Sequence, residues 1–346
     1  MSDAPWWDAQ RHADRRPFLL ARNKVRSALR RWFEDENFME VECGALQISP
    51  GNETHLHAFS SHFLNEDGTP NASLYLHTSP EFSCKKLLAA GETQIVDFAR
   101  VYRNRESGIL HSPEFTMIEW YRAHHTLTSV MEDCAQLTRT ALAATGQTSL
   151  SWQAETCQPH LTPEYLTLTD AFARYACIDL EAVLNDRDAF HAAAAAQGIN
   201  VHQSASWSDI FSAVLVARIE HNLGMGRLTF LYNYPLCEAA LARPCPHDPR
   251  FAERFEMYAC GVELANGFGE LTDPIEQRAR FSEDMRLKSK IYNENYPLDE
   301  DFLAALPHMP DASGVALGFD RLVMLCSGAR RIEDVLWTPF PAISQP

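Results

Sequence analysis

Arg103 stands where an alternating, strand-like run gives way to a polar loop in RVYRNRESGILHSPEFTMIEWYR (100–122), and the alternation resumes at Phe115. An arginine fixed at a strand end keeps its charge and meets phosphate oxygens through two parallel N–H groups. Asn104, Arg105, Glu106, His111 and Ser112 share its loop. On the returning run Phe115, Met117, Glu119 and Tyr121 fall on one face, because side chains alternate along a strand. A carboxylate and a phenol among apolar neighbours suit an ammonium group. An exposed, salt-bridged hairpin accounts for the same stretch equally well.

Two further stretches carry chemistry. In RFEMYACGVELANGFGEL (254–271) a turn at Cys260-Gly261 folds the run back and brings Glu256 toward Glu263. Close carboxylates repel unless a cation lies between them, and oxygen donors suit Mg²⁺. Asn266, Phe268 and Glu270 alternate onto one face, and Gly267 and Gly269 allow close approach to the backbone. An acidic edge strand is the competing reading. In GVALGFDR (314–321) a small-residue strand with Gly314, Ala316 and Gly318 enters a helix with Arg321 just inside it. Small residues leave room for a flat base, and the arginine for a terminal phosphate. Together the three stretches describe a site for ATP with Mg²⁺ and an amino acid.

These residues need rigid supports. The spacing of Val25, Ala28, Leu29, Trp32 and Phe33 predicts a helix over 17–36 that starts near Pro17. FMEVE (38–42) and LYLHTSPEF (74–82) alternate as strands, the second ending in a turn at Ser79-Pro80. CKKLLAAG (84–91) is a short helix closed by Gly91. TQIVDFARVYR and EFTMIEWYR pair as an antiparallel hairpin with a long connection. Residues 125–225 are mostly helical and form an insertion, and strands resume at 228–235, 254–271 and 314–325. Hairpin-paired strands with helices grouped between them indicate an α+β fold with a mainly antiparallel sheet, as one domain over 1–346. No GxGxxG or P-loop opens a helix after a strand.

The composition narrows the function class. Forty-six acidic residues face 30 Lys plus Arg, a net charge of −16 that repels nucleic-acid phosphate. The basic patches RHADRR (11–16) and ALRRW (28–32) read as solvated helix faces. Nine cysteines lack any CxxC pair, which fits free thiols in a reducing cytosol. No apolar run is long enough to span a bilayer, and the N-terminus has no apolar core of a signal peptide. The expected location is cytoplasmic, with no membrane partner.

RVYRNRE…HSPEFTMIEWYR resembles motif 2, and GVALGFDR motif 3, of class II aminoacyl-tRNA synthetases. TSPEF, HSPEFTMIEWY and ELANGFGEL are similar to lysyl-tRNA synthetases, and most of all to their short relatives that join (R)-β-lysine to elongation factor P. The resemblance runs from about residue 17 to 330. It implies a class II catalytic core, ATP and Mg²⁺ as cofactors, and a homodimer. Arg103 would hold the α-phosphate and Arg321 the γ-phosphate. Asn104, Arg105, Glu106, His111, Ser112, Glu263, Leu264 and Gly318 would contact the nucleotide. Glu256 and Glu263 would hold Mg²⁺. Ser79, Pro80, Glu81, Glu119, Tyr121, Asn266, Phe268, Glu270 and Ala316 would line the pocket for β-lysine or lysine.

The chain departs from the family at three points. Arg105 stands between Asn104 and Glu106, Ser112 replaces an asparagine, and Cys43-Gly44 replaces a Thr-Pro. The helix near Pro17 leaves no room for an N-terminal anticodon-reading domain. Activation of β-lysine or lysine as an aminoacyl-adenylate and transfer to a lysine ε-amine of elongation factor P is the expected reaction. A truncated lysyl-tRNA synthetase acting on tRNA, or a synthetase paralogue without catalysis, are the alternatives.

Overall fold

The computed structural model describes residues 5–341; residues 1–4 and 342–346, the ends of the expected 1–346 domain, lie outside them. The chain opens with α1 (Ala9–Asp35), capped by the Asp8 carboxylate, which accepts from the backbone N–H groups of Gln10 and Arg11. The helix therefore begins eight residues before Pro17, which lies inside it and not at its start. A side-chain cap outweighed the proline signal. Arg15, expected on a solvated face, is buried and donates to the Leu336 carbonyl.

Short strands β1 (Met39–Glu40) and β2 (Leu46–Gln47) follow, then the hairpin β3 (Phe59–Leu64) and β4 (Pro70–Leu76). Helix α2 (Glu81–Ala89) takes up the end of the expected 74–82 strand. The expected arms are β5 (Gln94–Tyr102) and β6 (Glu114–Ala123), antiparallel with Arg100 opposite Thr116. Helix α3 (Leu127–Thr145) leads to β7 (Leu150–Trp152), β8 (Glu155–Cys157) and β9 (Glu164–Thr167). Helices α4 (Leu168–Ala171), α5 (Leu180–Val183), α6 (Arg187–Ala196) and α7 (Trp207–Val214) come next. The chain then forms β10 (Thr229–Pro235), β11 (Phe251–Ala259) and β12 (Val262–Gly269), with the turn at Cys260-Gly261 as expected. It closes with α8 (Pro274–Tyr292), α9 (Glu300–Ala305), β13 (Ala312–Gly318), α10 (Phe319–Ser327) and α11 (Ile332–Val335).

Eight strands form one sheet in the order β1-β5-β6-β13-β12-β11-β10-β9. Its inner pairs are antiparallel, and β1 with β5 and β9 with β10 are parallel at the edges. One face carries α1, α3 and α10 over a core that includes Leu29, Phe33, Leu137, Trp120, Phe255 and Leu322. The 125–225 stretch is thus divided. Its first helix packs in this main core and its strand β9 joins the main sheet, while residues between Leu166 and Leu223 build a second core with Phe172, Phe190 and Phe211. No helix among the described residues is long and apolar enough to cross a membrane.

A buried charge pair ties several layers together. Arg22 of α1 bonds to Asp320 Oδ1 of α10, to Thr116 Oγ1 of β6 at 3.0 Å and to the Val335 carbonyl of α11 at 3.3 Å. Asp320 Oδ2 accepts from the Thr116 backbone N–H at 2.7 Å. Four elements meet in this knot, and both charges are buried. Removing one partner strands the other charge without water. Arg22→Ala should lower the free energy of unfolding by about 3–5 kcal/mol, as read from urea titration; a change below about 1 kcal/mol would show that the knot does not hold the layers.

Candidate active site

The open face of the sheet floors a cavity of about 290 Å³. The period-two rule decides what reaches it. On β6, Ile118 and Trp120 enter the core, while Phe115, Met117, Glu119 and Tyr121 line the cavity. On β13, Val315 and Leu317 are core residues, and Gly314, Ala316 and Gly318 line the floor. Ala316 pairs with Glu119 on one side and Asn266 on the other. A Cβ at Gly314 would run into the Tyr121 ring and the Glu270 carboxylate, so only glycine fits there.

One end of the cavity is cationic. Arg103 follows β5; its backbone N–H donates to the Pro113 carbonyl at 2.8 Å, and its guanidinium lies 5.4 Å from the Phe115 ring centre. Arg321, in the first turn of α10, donates to the Glu263 carbonyl at 2.9 Å and to His111 Nε2 at 2.7 Å. Burial, and after it Arg321, lowers the His111 pKa and keeps the ring neutral. Glu106, Ser112 and Leu264 also line this end, and the buried Ser112 hydroxyl has no protein partner.

Asn104 and Arg105, expected at the nucleotide, and Glu256, expected at Mg²⁺, stand outside the lining. Asn104 accepts from the Arg105 backbone N–H at 2.9 Å, and Arg105 has a left-handed φ of 67°. The Arg105 guanidinium pairs with Glu294 over the Tyr292 ring. Glu256 pairs with Arg254 at 2.7 Å and accepts from the Tyr258 hydroxyl at 2.6 Å. Its negative charge still bears on Glu263, whose pKa is raised by burial and then by Glu256. Glu220, which carried no sequence signal, joins them: burial, then Glu256 and Glu263, push it up to about 7. Glu256 is buried and Glu263 and Glu220 are half-buried, and carboxylates that repel one another suit a hard divalent cation.

The other end is anionic. Glu119 is buried and accepts from Ser79 Oγ and the Tyr121 hydroxyl. Burial, and then Glu81, pushes its pKa up to about 8. Lys85 Nζ lies 2.6 Å from Glu81 Oε1 and 2.6 Å from Glu270 Oε2. Those two carboxylates hold Lys85 charged against its burial. Burial pushes Glu270 up to about 7 despite Lys85. Glu270 Oε1 and Asn266 Oδ1 are buried without a hydrogen-bond partner. Phe268 forms part of the wall, and Pro80 caps α2 outside the lining.

Three carboxylates therefore face one lysine, with acceptor atoms left open. A buried acceptor without a donor is unfavourable by about 1–3 kcal/mol, so this end fits a ligand that brings ammonium groups. Lys85 follows Glu81 by one helical turn, a pair the sequence displays. Glu53, which lines the cavity with Arg254, comes from an irregular loop, and no sequence pattern marks it.

A family model of tRNA synthetases class II (D, K and N) matches residues 3–344. This chain belongs to that family. Among the class II relatives, a protein of Edwardsiella ictaluri (strain 93-146) is 39% identical over 92% of this chain and 93% of its own length. One of Proteus mirabilis (strain HI4320) is 38% identical over 93% and 94%. One of Salmonella arizonae is 36% identical over 97% and 98%. All three are named elongation factor P–(R)-β-lysine ligase. The class II core agrees with the expected α+β fold and its antiparallel sheet.

The Glu119 environment has a sign that can be checked in the ligand-free protein. Its carboxyl is raised from 4.5 to about 8 on folding, so between those values the native state keeps a proton that the unfolded chain has lost. Glu119 thus lowers stability as pH rises through that window, by up to about 1.4 kcal/mol per pH unit. Glu119→Gln should flatten the fall in unfolding free energy between pH 5 and 8 relative to the parent. Parallel curves for the two proteins would place the Glu119 charge elsewhere.

Proposed function

We propose that this class II protein activates (R)-β-lysine with ATP as an aminoacyl-adenylate and transfers the aminoacyl group to a lysine ε-amine of elongation factor P. The observation that carries the reading is the pairing of a two-arginine end with an ammonium-seeking end in one cavity. The names and full-length coverage of the relatives supply the acceptor. The net charge of −16 favours a protein acceptor over RNA.

Arg103 meets the α-phosphate and Arg321 the terminal phosphate. Neutral His111 holds the Arg321 guanidinium from one side and the Glu263 carbonyl holds it from the other. Glu263 with Glu256, joined by Glu220, would hold Mg²⁺, which supplies charge neutralisation for the departing pyrophosphate. At the other end Glu119, Glu270 and Asn266 accept from the substrate amines, and the Ser79 and Tyr121 hydroxyls fix the Glu119 carboxylate. The substrate carboxylate is thereby aimed between the two ends, where it attacks the α-phosphorus; the acceptor amine then displaces AMP. Catalysis rests on positioning and charge, and no protein nucleophile is used. A cytoplasmic homodimer belongs to the same reading. Exposed Met39, Leu46 and Ile48 give the β1–β2 edge an apolar surface that a second copy would cover.

Enzyme, ATP, Mg²⁺ and labelled (R)-β-lysine should label purified elongation factor P, and a factor whose acceptor lysine is changed to arginine should stay unlabelled. Label in total tRNA with none in the factor would overturn the reading in favour of a tRNA-directed enzyme. Arg103→Ala should cut ATP–pyrophosphate exchange by two to three orders of magnitude, equivalent to about 3–4 kcal/mol, while the fold survives.

Ala316 sits between Glu119 and Asn266 on the pocket floor. Its methyl group takes the space that an α-amino group would need. Ala316→Gly should shift the ratio of kcat/KM from β-lysine toward α-lysine by about tenfold, the range of one methylene-sized contact. An unchanged ratio would remove Ala316 from isomer selection.

A further inference from the structure

Next to the amino-acid end, where α2 packs on the sheet, lies a group that the proposed reaction does not use. Cys43, on the segment between β1 and β2, and Cys84, in α2, place their sulfurs 3.6 Å apart. Asp97 of β5 completes the group, with its carboxylate and both sulfurs all within 4.8 Å of one another. Asp97 Oδ2 accepts from the Cys43 backbone N–H at 3.0 Å, which fixes Cys43 against the sheet. Val41, two residues earlier, donates to the Val96 carbonyl at 2.8 Å and anchors the same segment. Cys84 and Asp97 are buried, and Cys43 is half-buried, so Cys43 is the sulfur that solvent reaches.

We propose that Cys43 and Cys84 form a reversible disulfide in response to hydroperoxides, and that α2 conveys its formation to the amino-acid pocket. The Cys43 sulfur attacks the peroxide; an S–O bond forms, the O–O bond breaks, and water or an alcohol leaves with the thiol proton. The Cys84 sulfur then attacks the Cys43 sulfur; the S–S bond forms, the S–O bond breaks, and the hydroxyl leaves as water with the Cys84 proton. Two thiols lose two electrons and one hydroperoxide gains them. Asp97 is the base within reach of both sulfurs, and burial raises its carboxyl so that it can hold a proton in passing.

The link to the pocket is short. A disulfide needs the sulfurs at about 2.05 Å, so the 3.6 Å gap must close. Cys43 is held to β5, and the pull therefore acts on α2. Lys85 follows Cys84 directly, and Glu81 precedes it by one turn. Glu81 and Lys85 are thereby displaced relative to Glu270, their partner just past the end of β12, whereas Arg103 and Arg321 stand on other elements.

The test uses the full chain and hydrogen peroxide. After treatment and proteolysis, mass spectrometry should show a Cys43–Cys84 linked peptide that dithiothreitol removes. Oxidised enzyme should show a KM for (R)-β-lysine in ATP–pyrophosphate exchange raised at least fivefold, with the KM for ATP unchanged. Cys43→Ala should keep the basal KM and lose the response, which also controls for oxidation of exposed Cys177 and Cys237. Absence of the linked peptide under excess peroxide would overturn the disulfide, and a linked peptide with unchanged KM would overturn the coupling. The coupling rests on the amino-acid reading of the pocket, while the linked peptide is judged by mass alone. No exchange by the reduced enzyme would sink the functional reading without touching the mass result.

Discussion

Burying carboxylates on the open face of a sheet is the constraint around which this protein is arranged. Glu119 and Glu270 have almost no contact with solvent, and Glu81 faces them from α2. In water each would be fully hydrated; here one lysine must serve Glu81 and Glu270, while hydroxyl groups serve Glu119. Such a pocket is left short of positive charge, and Glu119 and Glu270 keep protons that they would ordinarily release. A ligand carrying ammonium groups restores the balance. Affinity and selectivity for a cationic amino acid thus share one origin, the unfavourable state of the empty site.

The helical face works against a different demand. There the sheet must be dry, and Trp120, Phe255 and Leu322 make it so. Two buried charge pairs, Arg22–Asp320 and Arg122–Asp133, are set into it, and the first touches the site from behind: Asp320 precedes Arg321 and also borders the cavity. Arg321 therefore stands in the helical turn that the same charge pair fastens to α1 and β6.

Residues on regular elements were readable from the sequence because the pleat leaves little choice. Once β6 and β13 are recognised, alternation sends Glu119, Tyr121 and Ala316 to one side and Trp120 and Leu317 to the other. The Ser79-Pro80 turn and the placement of Arg321 just inside a helix were legible for the same local reasons. Where irregular backbone decides, the sequence was silent. Glu53 reaches the site from an irregular loop without a period, and Glu220 ends a helical run whose apolar period says nothing of its proximity to Glu256 and Glu263. Arg105 follows a left-handed backbone away from the cavity, which spacing alone does not reveal. Pro17, a common first-turn residue, points to a later start of α1 than the Asp8 cap sets, because that cap lies in a stretch with little hydrophobic pattern.

The floor strand β13 carries three small residues with unequal room. A side chain at Gly314 would collide with Tyr121 and Glu270, whereas one at Gly318 would meet only ordinary contacts, the nearest being Arg321 at 3.7 Å. Position 316 already carries a methyl group. For a lineage changing its substrate, these three adjacent steps are not equivalent starting points. Gly314 is closed to drift because any substitution dismantles the amine site, and Gly318 can vary with little effect on it. The middle position is the one at which the size of the floor can change by a single codon while the residues on either side stay intact.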